Sequence, residues 1–125
     1  MAPWLAIGCG GFLGAILRYA VTLAFVRRLE GGLPLGTLVC NVVGCLLIGV
    51  LVALCESRPG LGESTQLFLR VGLLGAFTTF SAFGLETVEL LREGAWGAAL
   101  VIVLGNLALG LAAVVGGLAL GRQLA

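Results

Sequence analysis

The charged residues of this chain are segregated. Residues 2–17, 31–55, 71–85 and 94–121 carry none, and the first three runs extend through flanks of similar polarity. A helix rises about 1.5 Å per residue and needs roughly 20 apolar residues to cross the hydrocarbon of a bilayer. The pattern therefore predicts four spans, approximately 4–26, 33–55, 65–91 and 95–120, joined by short loops into one transmembrane domain over residues 1–125. Composition agrees with a membrane protein: 60% hydrophobic, 10% charged, mean hydropathy +1.18. The segment after Met1 has no basic n-region and no cleavage pattern, so the first helix is expected to stay in the mature protein.

Against this background the polar residues inside the spans stand out. Arg18 lies well within the first span, where a guanidinium costs about 2.5–3.5 kcal/mol unless it snorkels or faces water. It either reaches the near interface or lines an aqueous vestibule and attracts anions. In the second span Thr37, Asn41, Gly44 and Ile48 fall on one helical face, at i, i+4, i+7 and i+11. An amide at that depth serves as interhelical glue or as a donor to an ion stripped of water. Asn106, midway along the last span, invites the same two readings.

The third span contains GAFTTFSAFGLE, residues 75–86. Gly75 and the adjacent β-branched Thr78 and Thr79 weaken a helix there, and hydroxyls can satisfy the freed backbone groups. A break at residues 75–79 would offer carbonyls to a cation and start a half-helix near Phe80. Phe80 and Phe83 then share a face at i, i+3. Two ring edges, which carry partial positive charge, can contact an anion without holding it as tightly as an arginine would. The competing reading packs both rings against lipid or core.

Charge and cysteine usage narrow the class further. Seven arginines, no lysine and a net charge of +1 leave no basic patch for nucleic acid. Four spans place Arg58 and Arg122 on one side and Arg27, Arg28 and Arg92 on the other, so the positive-inside bias nearly cancels. Such a chain either inserts both ways and pairs antiparallel with a second copy or simply has few charges to count. Cys9, Cys40, Cys45 and Cys55 all fall inside spans, form no C-x-x-C pair and have no histidine beside them, so they read as small packing residues. The 21 glycines are spread through the spans, which implies close helix packing and oligomerisation. Gly8–Gly14 lacks the spacing and preceding strand of a dinucleotide fingerprint.

Three ordered motifs tie these residues together: GGFLGAILRY at 10–19, GTLVCNVVG at 36–44, and GAFTTFSAF followed by Glu86. They resemble the GGxxGAxxRY, GTLxxNxxG and GxxTTFSTF motifs of the Fluc (CrcB) fluoride channels, along nearly the whole chain. The resemblance implies an all-α membrane protein with a broken third helix, forming a dual-topology antiparallel homodimer with two pores in the membrane lipid of the cell (inner) membrane. It implies passive export: fluoride enters as neutral HF, dissociates in the cytoplasm, and leaves as the anion down its electrochemical gradient.

By the same resemblance Phe80 and Phe83 offer ring edges to fluoride, and Asn41 lines the pore and orients the rings. Thr37 and Ser81 hydrate the ion, Arg18 biases the vestibule toward anions, and the carbonyls of Gly75 and Thr78 from both subunits hold a structural sodium ion. The chain departs from the family at Ala82, where a threonine is usual, and at Ile102, where many relatives have a pore-lining tyrosine. Asn106 then stands where a serine is common. Glu86 matches a family glutamate and has no assigned role.

Other classes fit less well. A small-multidrug-type proton-coupled exporter needs an acidic residue in its first helix, where this chain has Arg18 and no acid before Glu30. A scaffold subunit predicts neither a broken third helix nor Asn41 beside two phenylalanines. An enzyme would need a catalytic constellation, and no histidine, triad or phosphate loop is present.

Overall fold

The computed structural model describes residues 2–28, 33–57 and 60–125. Glu30 and Arg58 lie outside the described residues, and the side chains of Arg27 and Arg28 are likewise not described. Four helical stretches are long and apolar enough to cross a membrane: Pro3–Phe25, Leu35–Ser57, Glu63–Arg92 and Trp96–Leu124. The first two belong to continuous helices, α1 (Pro3–Arg28) and α2 (Leu35–Ser57).

The other two are composite. The third contains α3 (Glu63–Gln66), a π-helical stretch over Leu67–Leu74, α4 (Gly75–Phe77) and α5 (Phe80–Arg92). The fourth contains α6 (Trp96–Leu104), a π-helical turn over Gly105–Leu109 and α7 (Gly110–Leu124). Wide turns of this kind occur often at functional sites, because the extra residue rotates the downstream helix relative to the upstream one.

Missing side chains set how closely the helices pack. α2 lies most extensively against α7, and α1 against the π-helical stretch of the third span. A Cβ on Gly49 would come within 2.9 Å of the Leu118 nitrogen, and one on Gly117 would run into the Leu46 carbonyl oxygen, so these helices touch backbone to backbone. Gly10 and Gly72 do the same between α1 and the third span: a Cβ on Gly72 would lie 2.7 Å from the Ile7 carbonyl oxygen. In lipid, where apolar side chains gain little from leaving the solvent, such approach is what holds helices together. Only 17–22% of each spanning window is buried within one chain. Most residues of each span therefore keep some surface that lipid or another copy can cover.

The turn between the last two spans has a local cause. Gly94 adopts φ +75°, Ala95 N–H donates to the Leu90 carbonyl at 2.8 Å, and Gly94 N–H donates to that of Leu91 at 3.1 Å. This is a Schellman ending, which favours the residue without a Cβ.

Candidate ion-conduction site

Between α4 and α5 the backbone leaves the helix. Thr78 (φ −82°, ψ 155°) and Thr79 (φ −153°, ψ 120°) are extended, whereas Gly75 to Phe77 remain helical. The interruption is narrower than the 75–79 stretch expected from propensity, and it falls on the threonines rather than on the glycine. The reason lies in another helix.

Asn41 on α2 accepts the Thr79 N–H on Oδ1 (2.8 Å) and donates from Nδ2 to the Thr79 carbonyl (3.1 Å). One side-chain amide thus satisfies both backbone groups of one extended residue. In an unbroken helix the Thr79 N–H would have gone to the Gly75 carbonyl. The next helical donor, Phe80 N–H, would have gone to Ala76; there Arg18 takes over, its Nε donating to the Ala76 carbonyl at 3.0 Å. On the far side, Thr79 Oγ1 accepts the Ala82 N–H at 3.2 Å and caps α5. Thr78 Oγ1 donates back to the Leu74 carbonyl at 3.0 Å. Gly44 lies opposite, and a Cβ there would collide with the Thr78 Cγ2 methyl, so α2 must present a bare backbone to the break.

A cleft of about 380 Å³ opens beside this junction and is lined by Asn41, Gly75, Thr78, Phe80, Phe83 and Asn106, among others. The two rings stand 5.4 Å apart between centroids at 62°, an edge-to-face arrangement in which the edge of one ring meets the face of the other. Phe83 is 9% exposed and belongs to the core, while Phe80 is 80% exposed in a single chain. Asn41 Nδ2 also donates to Asn106 Oδ1 at 2.8 Å, and Asn106 Nδ2 donates to the Ile102 carbonyl at 2.9 Å. Ile102 itself is 1% exposed and packs in the core, away from the cleft lining.

The other expected site residues stand apart from this cleft. Thr37, 3% exposed, donates to Glu86 Oε1 at 2.6 Å, leaving the buried Glu86 Oε2 without a partner. Ser81 is exposed, its Oγ 3.3 Å from Thr79 Oγ1. Arg18 is engaged at the Ala76 carbonyl. Ile48 and Gly44, from the polar-faced pattern in α2, do line the cleft. Arg70 also lines it and was passed over by sequence reasoning, although an ionisable residue inside an apolar span is a signal that finds such positions. All four cysteines are free thiols; Cys40 is fully buried as a packing residue and Cys45 borders the cleft.

Four apolar helical spans and a cleft lined by the Asn41 and Asn106 amides and the Phe80 and Phe83 rings at an interruption of the third span define a multi-pass membrane protein. Residues 5–118 match the CrcB-like protein family, Camphor Resistance (CrcB), and the chain belongs to that family. A protein of Paracoccus denitrificans named fluoride-specific ion channel FluC is 47% identical over 121 residues, covering 97% of this chain and 95% of its own. Proteins with the same name from Chloroflexus aurantiacus and Agrobacterium fabrum are 45% and 43% identical, each over 118 residues and 94% of both chains.

Proposed function

We propose that this chain is a passive fluoride-selective channel that lets cytoplasmic fluoride leave the cell down its electrochemical gradient and so confers fluoride resistance. The observation that carries the reading is the edge-to-face pair Phe80 and Phe83, set beside the Asn41 and Asn106 amides at an interruption of the third span. Ring edges and the remaining Asn106 amide N–H replace part of the water around an anion, yet they hold it weakly enough to release it, while both Asn41 N–H groups are spent holding Thr79 and Asn106 in place. No bond is made or broken in such transport, so the chain is not an enzyme. The small-multidrug reading still lacks its acidic residue: α1 carries Arg18.

The working unit is an antiparallel homodimer of dual topology in the cell membrane, with the third span broken at mid-membrane and two pores along the interface. Support comes from the nearly cancelled arginine bias and from Phe80, which one chain leaves uncovered. A structural sodium ion at the interface would be held by the carbonyls of Gly75 and Thr78. These oxygens fit a hard monovalent cation, since the helical donor to Gly75 is diverted to Asn41 while the intervening Ala76 carbonyl is occupied by Arg18. Such an ion would supply positive charge that keeps the broken ends together. Along the anion path Asn41 orients the rings, Ser81 hydrates the ion near the vestibule, the buried Thr37 acts there through its hydrogen bond to Glu86, Asn106 adds an amide and Arg18 favours anions electrostatically.

Purified protein in liposomes under a fluoride gradient is expected to discharge fluoride and retain chloride. Comparable chloride flux would refute the selectivity.

A further inference from the structure

The cleft beside the phenylalanines has a neighbour. A second cavity of about 370 Å³ is lined by Ile48, Glu63, Gln66, Leu67, Arg70 and Val71. Ile48 and Arg70 border both. Glu63 opens the third span directly after the 60–62 turn, so the second cavity runs from that end of the span toward the first. Ile48 lies seven residues beyond Asn41 on α2, about 10 Å along the same helical face. The two cavities thus run along the third span, from beside Asn41 and the Thr78–Thr79 break to Glu63 at the start of that span, with Ile48 of α2 bordering both.

The π-helical stretch is what turns Arg70 toward this route. In an α-helix residues five apart are rotated by about 140° around the axis. Here the Gly75 N–H donates to the Arg70 carbonyl, an i to i−5 bond, which stacks the two residues on one side of the helix. Arg70 and Gly75 accordingly line the same cleft. Arg70 is also electrically available. It is exposed, and among the described residues its guanidinium takes part in no hydrogen bond or ion pair, although Glu63 shares the second cavity. Arg18, whose Nε donates to the Ala76 carbonyl, lines neither cavity.

We infer that Arg70 is the anion-attracting residue at one mouth of the conduction path, drawing a small anion from the 60–62 end of the third span through the second cavity to the Phe80 and Phe83 rings. The inference rests on the channel reading above and assigns its electrostatic entrance. A cation that lines the path without a fixed partner concentrates anions modestly and does not trap them. Its effect is therefore screened by salt, which a packing role is not.

The test is fluoride flux from proteoliposomes at low fluoride, with ionic strength set by an impermeant salt, comparing the parent with Arg70→Gln, Arg70→Glu and Arg70→Lys. Neutralisation should slow flux about threefold at low ionic strength and charge reversal about tenfold, with both deficits shrinking near 1 M salt, where the screening length falls to about 3 Å. Arg70→Lys should stay near the parent, because it keeps the charge. The inference fails if Arg70→Gln conducts like the parent at low salt, if its deficit is the same at both ionic strengths, or if lysine is as slow as glutamine. A parent that moves no fluoride would instead overturn the channel reading itself.

Discussion

Replacing Asn41 tests the structure at its most connected side chain. Asn41→Ala removes the acceptor of the Thr79 N–H, the donor to the Thr79 carbonyl and the donor to Asn106. If the backbone stays in place, two main-chain groups lose their partners at about 1–3 kcal/mol each, or about 2–6 kcal/mol together, with the upper end applying where water is excluded. The chain has one way to reduce this cost: Thr79 can return its N–H to the Gly75 carbonyl and continue the helix. That would take a carbonyl from the proposed cation site and displace the Thr79 cap of α5. Asn41→Ala is therefore expected to lower the thermal unfolding midpoint, the sodium dependence, or both, and to reduce fluoride flux in either case.

Asn41→Asp keeps half of the clamp and adds charge, losing the donor to the Thr79 carbonyl and to Asn106. Its oxygen still accepts the Thr79 N–H, but a charge about 5 Å from a permeating anion, in an effective dielectric of about 20, repels it by about 3 kcal/mol, or roughly a hundredfold in rate. The assays are fluoride-electrode efflux from proteoliposomes and thermal unfolding in detergent, with dimer content followed by gel filtration. Parental flux and an unchanged unfolding midpoint in Asn41→Ala would refute the clamp. Fluoride flux in Asn41→Asp at or above that of Asn41→Ala would refute placing Asn41 on the anion path.

Phe80→Ile and Phe83→Ile should both cut fluoride throughput while dimers still form; parental flux in both would remove the aromatic mechanism. The Phe83 change should also lower stability of the single chain, because Phe83 is buried within it while Phe80 is 80% exposed there; an unchanged unfolding midpoint in Phe83→Ile would contradict that placement. Exchanging sodium for a larger organic cation should weaken the dimer or its activity if Gly75 and Thr78 carbonyls cradle the ion, and indifference would argue against the cradle. Gly117→Val would force a branched side chain onto the Leu46 carbonyl, so α2 and α7 must separate; overpacking of this kind costs about 1–3 kcal/mol, read as a lower unfolding midpoint, and a parental midpoint would contradict the packing described.

Several parts of the candidate site are legible in the residues themselves. Asn41 and Gly44 can be placed on one face of α2 from helical spacing, and Phe80 pairs with Phe83 by the i, i+3 spacing within a span. Paired β-branched threonines in an apolar helix mark the weak point to within a few residues. Other features depend on pairings between residues 22 to 65 positions apart: Thr37 with Glu86, Asn41 with Thr79 and Asn106, Arg18 with Ala76, and Cys40 with the Arg18 carbonyl. No local pattern specifies how far each helix is rotated about its own axis. Arg18 shows the difference. Its depth marks it as a residue that needs a partner, but the partner is a backbone oxygen exposed only because another helix is interrupted.

By itself, the sequence determined that this protein lives in a membrane as four helices, since crossing hydrocarbon demands length and apolarity that can be counted residue by residue. It also determined, through its motifs, the family to which the chain belongs. The tertiary structure decided where the third span gives up its helix, because Asn41 supplies the bonds that keep two extended threonines from leaving backbone groups unpaired. It likewise decided that Arg70 faces the cleft, because a π-helical stretch changes the angle at which residues 70 and 75 meet. Both outcomes turn on hydrogen bonds that a helix would normally make with itself and that here are redirected by the fold.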